Sequence, residues 1–273
     1  MVKKTVFVSI ALVVALSIMV LVFTIPGATS ATDQKGLVRT AVEKAEPIYQ
    51  KLKEIIAEEI ESFNIEDDSD PDLDEAREGL EEMKGYTEQL DGLISSLSGL
   101  SDDPSKNDGK TVRAAREYLT MLRNMTSDLS ELIVYSIDLY EAILLMDAMD
   151  ADTDDYEMLA QEIWNATDAT KKALEQIKPP SYLAITHRDL IARVTEFREF
   201  AVDFSYAGQL GDPLRIYSCV YRMGRIVRMF ESCGENLNAD MELQFKQAER
   251  RMNGSIAKIH DELTRNLAAL KNA

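Results

Sequence analysis

Apolar and polar positions divide the chain into one unbroken apolar run and a series of amphipathic stripes. The run, Thr5 to Ile25 (TVFVSIALVVALSIMVLVFTI), is 21 residues long, enough to cross about 30 Å of hydrocarbon as a helix. After it, Leu37, Ala41, Ala45, Ile48, Leu52, Ile55 and Phe63 recur at three-four spacing. That stripe predicts a helix over about 34–64, which Pro47 is expected to kink or restart. The acidic run Ile65 to Glu75 breaks the pattern, and a second stripe follows at Leu73, Ala76, Leu80, Met83, Leu90 and Leu97. Ser101 to Gly109 (SDDPSKNDG) reads as a loop.

A long helix is expected from near Thr111, with Ala115, Leu119, Leu122, Leu129, Ile133, Tyr140 and Leu144 on one side. The aspartate-rich stretch Asp147 to Asp155 bends or ends it. The next helix carries Leu159, Ile163, Ala166, Leu174 and Ile177 and stops at Pro179-Pro180. Ser181 starts another, with Leu183, Leu190, Val194, Phe197, Ala201 and Phe204, closed by Gly208 and Gly211. Asp212-Pro213 reads as N-cap and first residue of the last long segment. Its stripe runs through Val220, Ile226, Phe230, Leu237, Phe245, Met252, Ile259, Leu263 and Leu270, with Gly224, Gly234 and Gly254 as weak points. Segments of this length with short connections pack antiparallel. The expected fold is all-α: an N-terminal membrane helix, then an antiparallel helical bundle of about six helices. Residues 1–31 form the anchor or signal peptide, 32–100 a helical hairpin and 111–273 a four-helix-type bundle, which can pack with the hairpin as one domain.

Composition agrees with helices. Gly and Pro number only 12 and 7, too few for a fold of many tight turns, and no strand signal is present. The charge changes the picture more. With 30 basic and 48 acidic residues the chain carries −18, and Lys3 and Lys4 lie ahead of the apolar run. Two lysines before the run and an acidic chain after it predict the N-terminus inside and the remainder outside the cytoplasm. The length of the run favours an uncleaved anchor over a signal peptide, whose core is usually about 7–15 residues. Ala28-Thr29-Ser30-Ala31 offers a cleavage site to the other reading, and the body is then secreted. No cysteine stands directly after the run, so a lipoprotein anchor is not expected. The negative field repels phosphate backbones, so no nucleic-acid partner is expected.

Candidate chemistry is sparse. His187-Arg188-Asp189-Leu190 matches a kinase catalytic loop only in part: Val194 stands where asparagine is required, and the segment reads as helix. Gly109-Lys110-Thr111 lacks the earlier glycine of a phosphate loop, with Pro104 in its place. Asp70, Asp72, Asp74 with Glu81, and Asp150, Asp152, Asp154 with Gln161, approximate calcium-loop spacing. Glu75 and Asp155 fill the position where glycine makes the turn. They read as solvated acidic linkers that double as helix N-caps. The two histidines, His187 and His260, lie too far apart in sequence to suggest a transition-metal site, and no cofactor is expected. His187 shares its stripe with Leu183 and Ile191, which predicts a packing role. If Cys219 and Cys233 lie on one straight helix, about 21 Å of rise separates them and they cannot bond, so two buried free thiols are expected unless a turn falls between them. Sequons at Asn124, Asn165 and Asn253 all sit in helical patterns.

One window departs from the rest. Arg188 to Arg228 holds seven arginines, no lysine and five acids, beside Phe197, Phe200, Phe204, Tyr206, Tyr217 and Tyr221. Guanidinium groups next to aromatic rings suit carboxylate or phosphate ligands or an interaction surface. The plainer reading, and the preferred one, is that the arginines pair with acidic neighbours and pin the helices together. Arg215, Tyr217, Arg222 and Arg225, with His187, are the candidate ligand-binding residues. The ligand reading requires the arginines to be without acidic partners.

Around Ile177-Lys178-Pro179-Pro180-Ser181, His187 and Leu190 the chain resembles a loose group of uncharacterised exported prokaryotic helical-bundle proteins. In these a helix ends at a proline pair and the next carries a histidine several residues on. The resemblance implies no activity. The expected function is therefore non-enzymatic: a membrane-tethered extracytoplasmic bundle that binds another protein or itself. The alternative is a binding module for a small anionic ligand between the last two helices.

Overall fold

The computed structural model describes residues 34–62, 73–103, 107–147 and 155–269. Seven α-helices are present among them: α1 (Gln34–Ser62), α2 (Leu73–Leu97), α3 (Asn107–Asp147), α4 (Tyr156–Gln176), α5 (Ala184–Leu210), α6 (Pro213–Arg251) and α7 (Ala257–Ala269). A π-helical turn, Met252–Ile256, joins α6 to α7, so the described residues make six rods and no strand. The apolar run 5–25 and five aspartates of the calcium-loop-like stretches, Asp70, Asp72, Asp150, Asp152 and Asp154, lie outside the described residues. No described helix is long and apolar enough to cross a membrane.

The chain divides into two compact units. One draws on α1, α2, the part of α3 up to Glu131, the end of α6 from Gln244, and α7. Its core draws on the predicted stripes at Leu52, Met83, Leu90, Leu119 and Leu122, at most 1% exposed, each contributing about 1.5–3 kcal/mol by burial. Ile56 joins them from outside the stripe, and Val38 is buried where Leu37 is 40% exposed. Pro47 does not end α1, which runs through it unbroken. The residue lies on the exposed face, where water can serve the carbonyl that its missing N–H leaves over.

Helices α2 and α3 run antiparallel, because Thr87 meets Thr126 (3.1 Å), Asp91 meets Arg123 (3.2 Å) and the end of α2 meets Arg116. The last carbonyls of a helix have no partner within it. Here Arg116 supplies donors to the carbonyls of Leu97, Ser98 and Leu100 and pairs with Asp102 at 3.1 Å. Helix α3 begins at Asn107, a turn earlier than its apolar pattern, with Gly109 close against Asp103: an added Cβ there would lie 2.1 Å from that carbonyl oxygen.

The other unit draws on α3 from Leu132, on α4 and α5, and on α6 up to Leu243. Its core holds Ile163, Phe197, Phe200, Phe204 and Ile226, with Phe200 and Phe204 stacked at 5.5 Å. Helices α4 and α5 are antiparallel, since Asp168 meets Arg198 (2.7 Å) and Leu174 meets His187 (3.0 Å). Near the other end Gly208 admits Tyr156, whose Cβ would stand 2.7 Å from an added Cβ. Gly211 adopts φ 58 and caps α5, the left-handed geometry that favours glycine. Asp155 and Asp212 cap α4 and α6 through Oδ1, accepting from the second and third backbone N–H groups. Cys219 and Cys233 are free and buried on the same helix, as the spacing predicts.

Two stripes shift by one position. In the second part of α3 the buried residues are Leu132, Tyr135, Ser136 and Leu139, not Ile133, Tyr140 and Leu144. Apolar residues stand at both phases there, so the neighbouring helices choose the face. On α6 the inward residue is Cys219, and Val220 is 60% exposed. Of the three glycines expected to weaken the last segment, Gly224 and Gly234 lie within continuous α6, and the helix changes only around Gly254, in the π-turn.

Candidate functional site

The five residues singled out in the sequence all fall in the unit formed by 132–243. His187 is 5% exposed. Its Nε2 lies 3.0 Å from the Leu174 carbonyl, which can only accept, so Nε2 carries the proton. Nδ1 then accepts from the Tyr135 hydroxyl at 3.2 Å, with the two rings edge to face. Burial holds the imidazole below its ordinary pKa, against the opposing pull of the Leu174 carbonyl. A neutral ring with both nitrogens engaged by its own fold is a packing element.

The arginines lie farther along the α5–α6 hairpin. On α5, Asp203, the partner of Arg222, stands about 24 Å of axial rise from His187, so the histidine and the arginines do not form one site. Arg215 approaches Asp212 at 3.5 Å and lies over the Tyr206 ring at 5.4 Å. Arg222 pairs with Asp203, and Arg225 with Glu196 at 3.0 Å. The other oxygen of Glu196 accepts from Arg193 at 3.1 Å. Asp168, between Arg198 and Lys172 at 2.7 Å each, is held below the usual carboxylate range by hydrogen bonds from both. Each candidate arginine meets an Asp or Glu. Arg198–Asp168 spans α4 to α5, and Arg222–Asp203 and Arg225–Glu196 span α5 to α6, the pinning arrangement, whereas Arg215–Asp212 stays at the start of α6.

Tyr217 makes a different point. It is 74% exposed, and it has company: Tyr206 (54%), Leu210 (51%), Leu214 (81%), Val220 (60%) and Tyr221 (71%). The first turns of α6 touch their own unit along a narrow seam, Ile216, Cys219, Met223 and Ile226. Leu214, Tyr217 and Tyr221 follow an i, i+3, i+7 row on the opposite face. The apolar pattern puts Val220 inward and offers Tyr217 as a candidate ligand contact, with Tyr206 and Tyr221 as aromatic neighbours of the arginines. A second apolar row off the first, with few charges in it, was the signal for the rest.

A further polar cluster lies in the other unit. His260 on α7 meets Glu46 on α1 at 2.5 Å and stacks on Tyr49 with centroids 5.0 Å apart. Tyr118 of α3 lies 5.6 Å from the same ring. Burial raises the phenol pKa of both tyrosines. Together with Arg39, which reaches the Leu267 carbonyl at 3.2 Å, this cluster ties α7 to α1. No group of three or more His, Cys, Asp or Glu suited to a metal occurs among the described residues.

Compared with known proteins, the chain matches no family model, no curated protein and no solved structure.

Proposed function

We propose that the protein is a non-enzymatic interaction module, tethered to the membrane through residues 5–25 with its helical body outside the cytoplasm. The observation that carries the interaction role is the apolar face of the α5–α6 hairpin. Six aromatic or aliphatic side chains there are half to four-fifths exposed, and large exposed apolar patches mark contact sites. The tether rests on the 21-residue apolar run and the charge asymmetry around it. An anion-binding role has weaker support, because Arg215, Arg222 and Arg225 are each engaged by a carboxylate.

In-cell crosslinking through photo-reactive residues placed along the body of the full-length chain in its own membrane, read by mass spectrometry, tests this reading, because 202–221 holds no lysine for an amine-directed reagent. The protein is expected in the alkali-resistant membrane pellet, open to protease from outside, with crosslinks concentrated on 202–221. Release by alkali together with protection from protease would sink the tether. Crosslinks scattered evenly over the body would sink the interaction surface.

A further inference from the structure

We infer that the outward face at the start of α6 is a self-complementary interface that joins two copies of this chain. The inference rests on the interaction role proposed above and names its partner. Leu214, Tyr217 and Tyr221 make the a, d, a row of a short helix–helix seam, which ends before Gly224, where the Arg228 guanidinium lies 3.8 Å from the place of an added Cβ. Val220 flanks the row, and Tyr206 and Leu210 add apolar surface from α5. At their exposures these six side chains present on the order of 700 Å², near the roughly 800 Å² per partner of a standard interface.

Charge selects the occupant. The chain carries −18 and is 29% charged, so two copies repel over most of their surface. Between Tyr206 and Tyr221 the only charged residues are Asp212 and Arg215, which pair with each other. This stretch is therefore neutral, and like surfaces can meet there without repulsion. A two-fold interface sets one patch against itself, which suits a face whose two charges already balance. An acidic partner or an anionic bilayer would instead favour cations without carboxylate partners, and Arg215 and Arg222 each have one.

The test places a photo-crosslinking amino acid at Tyr217 of the full-length chain in its own membrane, with Glu88 on α2 as the comparison position. The expected product at 217, and not at 88, has twice the chain mass and contains two copies. A different polypeptide captured at 217 overturns the self-association while leaving the interaction module standing. A lipid adduct overturns it in favour of a bilayer contact. Absence of any product at 217 overturns it and removes the interaction surface as well. Independently, light scattering of the detergent-solubilised full chain should give a dimer, which L214E/Y217E weakens about 100-fold or more while helical circular dichroism and Tm are retained. A dimer indifferent to L214E/Y217E, or a wild-type monomer, overturns the inference.

Discussion

The Tyr135 hydroxyl donates to Nδ1 of His187 at 3.2 Å, and with Nε2 held by the Leu174 carbonyl the pair fixes a neutral imidazole between α3, α4 and α5. The folded state thus resists protonation that the unfolded chain accepts near pH 6.5. Below that pH the unfolded state binds more protons, so stability falls as pH drops, until the lowered folded pKa is passed. Urea midpoints measured from pH 8 to pH 5 should decline below about 6.5, and His187→Gln should flatten that decline. Tyr135→Phe should cost about 1 kcal/mol at pH 7.5. An equal slope in wild type and His187→Gln would show that another group governs acid sensitivity.

Arg116 is the cap of α2. Its guanidinium reaches three main-chain carbonyls and Asp102 at once, a fork that an ammonium cannot reproduce. Arg116→Ala should lower unfolding free energy by about 1–3 kcal/mol, and Arg116→Lys should recover less than half of it. Full recovery by lysine would mean that the charge matters and the fork does not.

Glycines on two helices should respond with opposite signs. Gly208→Ala sets a Cβ 2.7 Å from that of Tyr156, so α4 and α5 must part, at a cost of about 1–3 kcal/mol. Gly92 in α2 has nothing within 4 Å of an added Cβ, and Gly92→Ala should stabilise by about 0.5–1 kcal/mol through helix propensity. Thermal unfolding of the two variants beside wild type decides both.

Phosphate or citrate at millimolar concentration should leave Tm unchanged, because Arg215, Arg222 and Arg225 already face Asp212, Asp203 and Glu196. A saturable rise in Tm that disappears in Arg222→Ala would restore the anion-binding reading.

Much of the helical layout was legible because the physics behind it is local. Asp212-Pro213 caps α6, Gly211 closes α5, and the stripes at Leu52, Leu90, Leu122 and Phe204 are buried, since capping and amphipathic periodicity depend on residues a few positions apart. The candidate site was legible only as a list. Sequence distance placed His187 with the arginines, while the fold keeps the histidine several turns away.

Local pattern alone dictates the number and nature of the rods, the aspartate caps of α4 and α6, the Gly211 close of α5, the separation of Cys219 from Cys233 along one helix, and the acidic charge. Helix α5, by contrast, starts at Ala184 and not at Ser181. Tertiary structure decided which of two apolar phases α3 buries, that Pro47 and Gly224 leave their helices continuous, and that each candidate arginine meets a carboxylate. It also decided that Leu214, Tyr217 and Tyr221 are left outside. The reason is physical: periodicity shows that a residue can be buried, but only the neighbouring helices supply the surface that buries it. Where Cys219 and Ile226 already fill the seam of α6, the apolar row on its other face has no neighbour in its own unit to cover it.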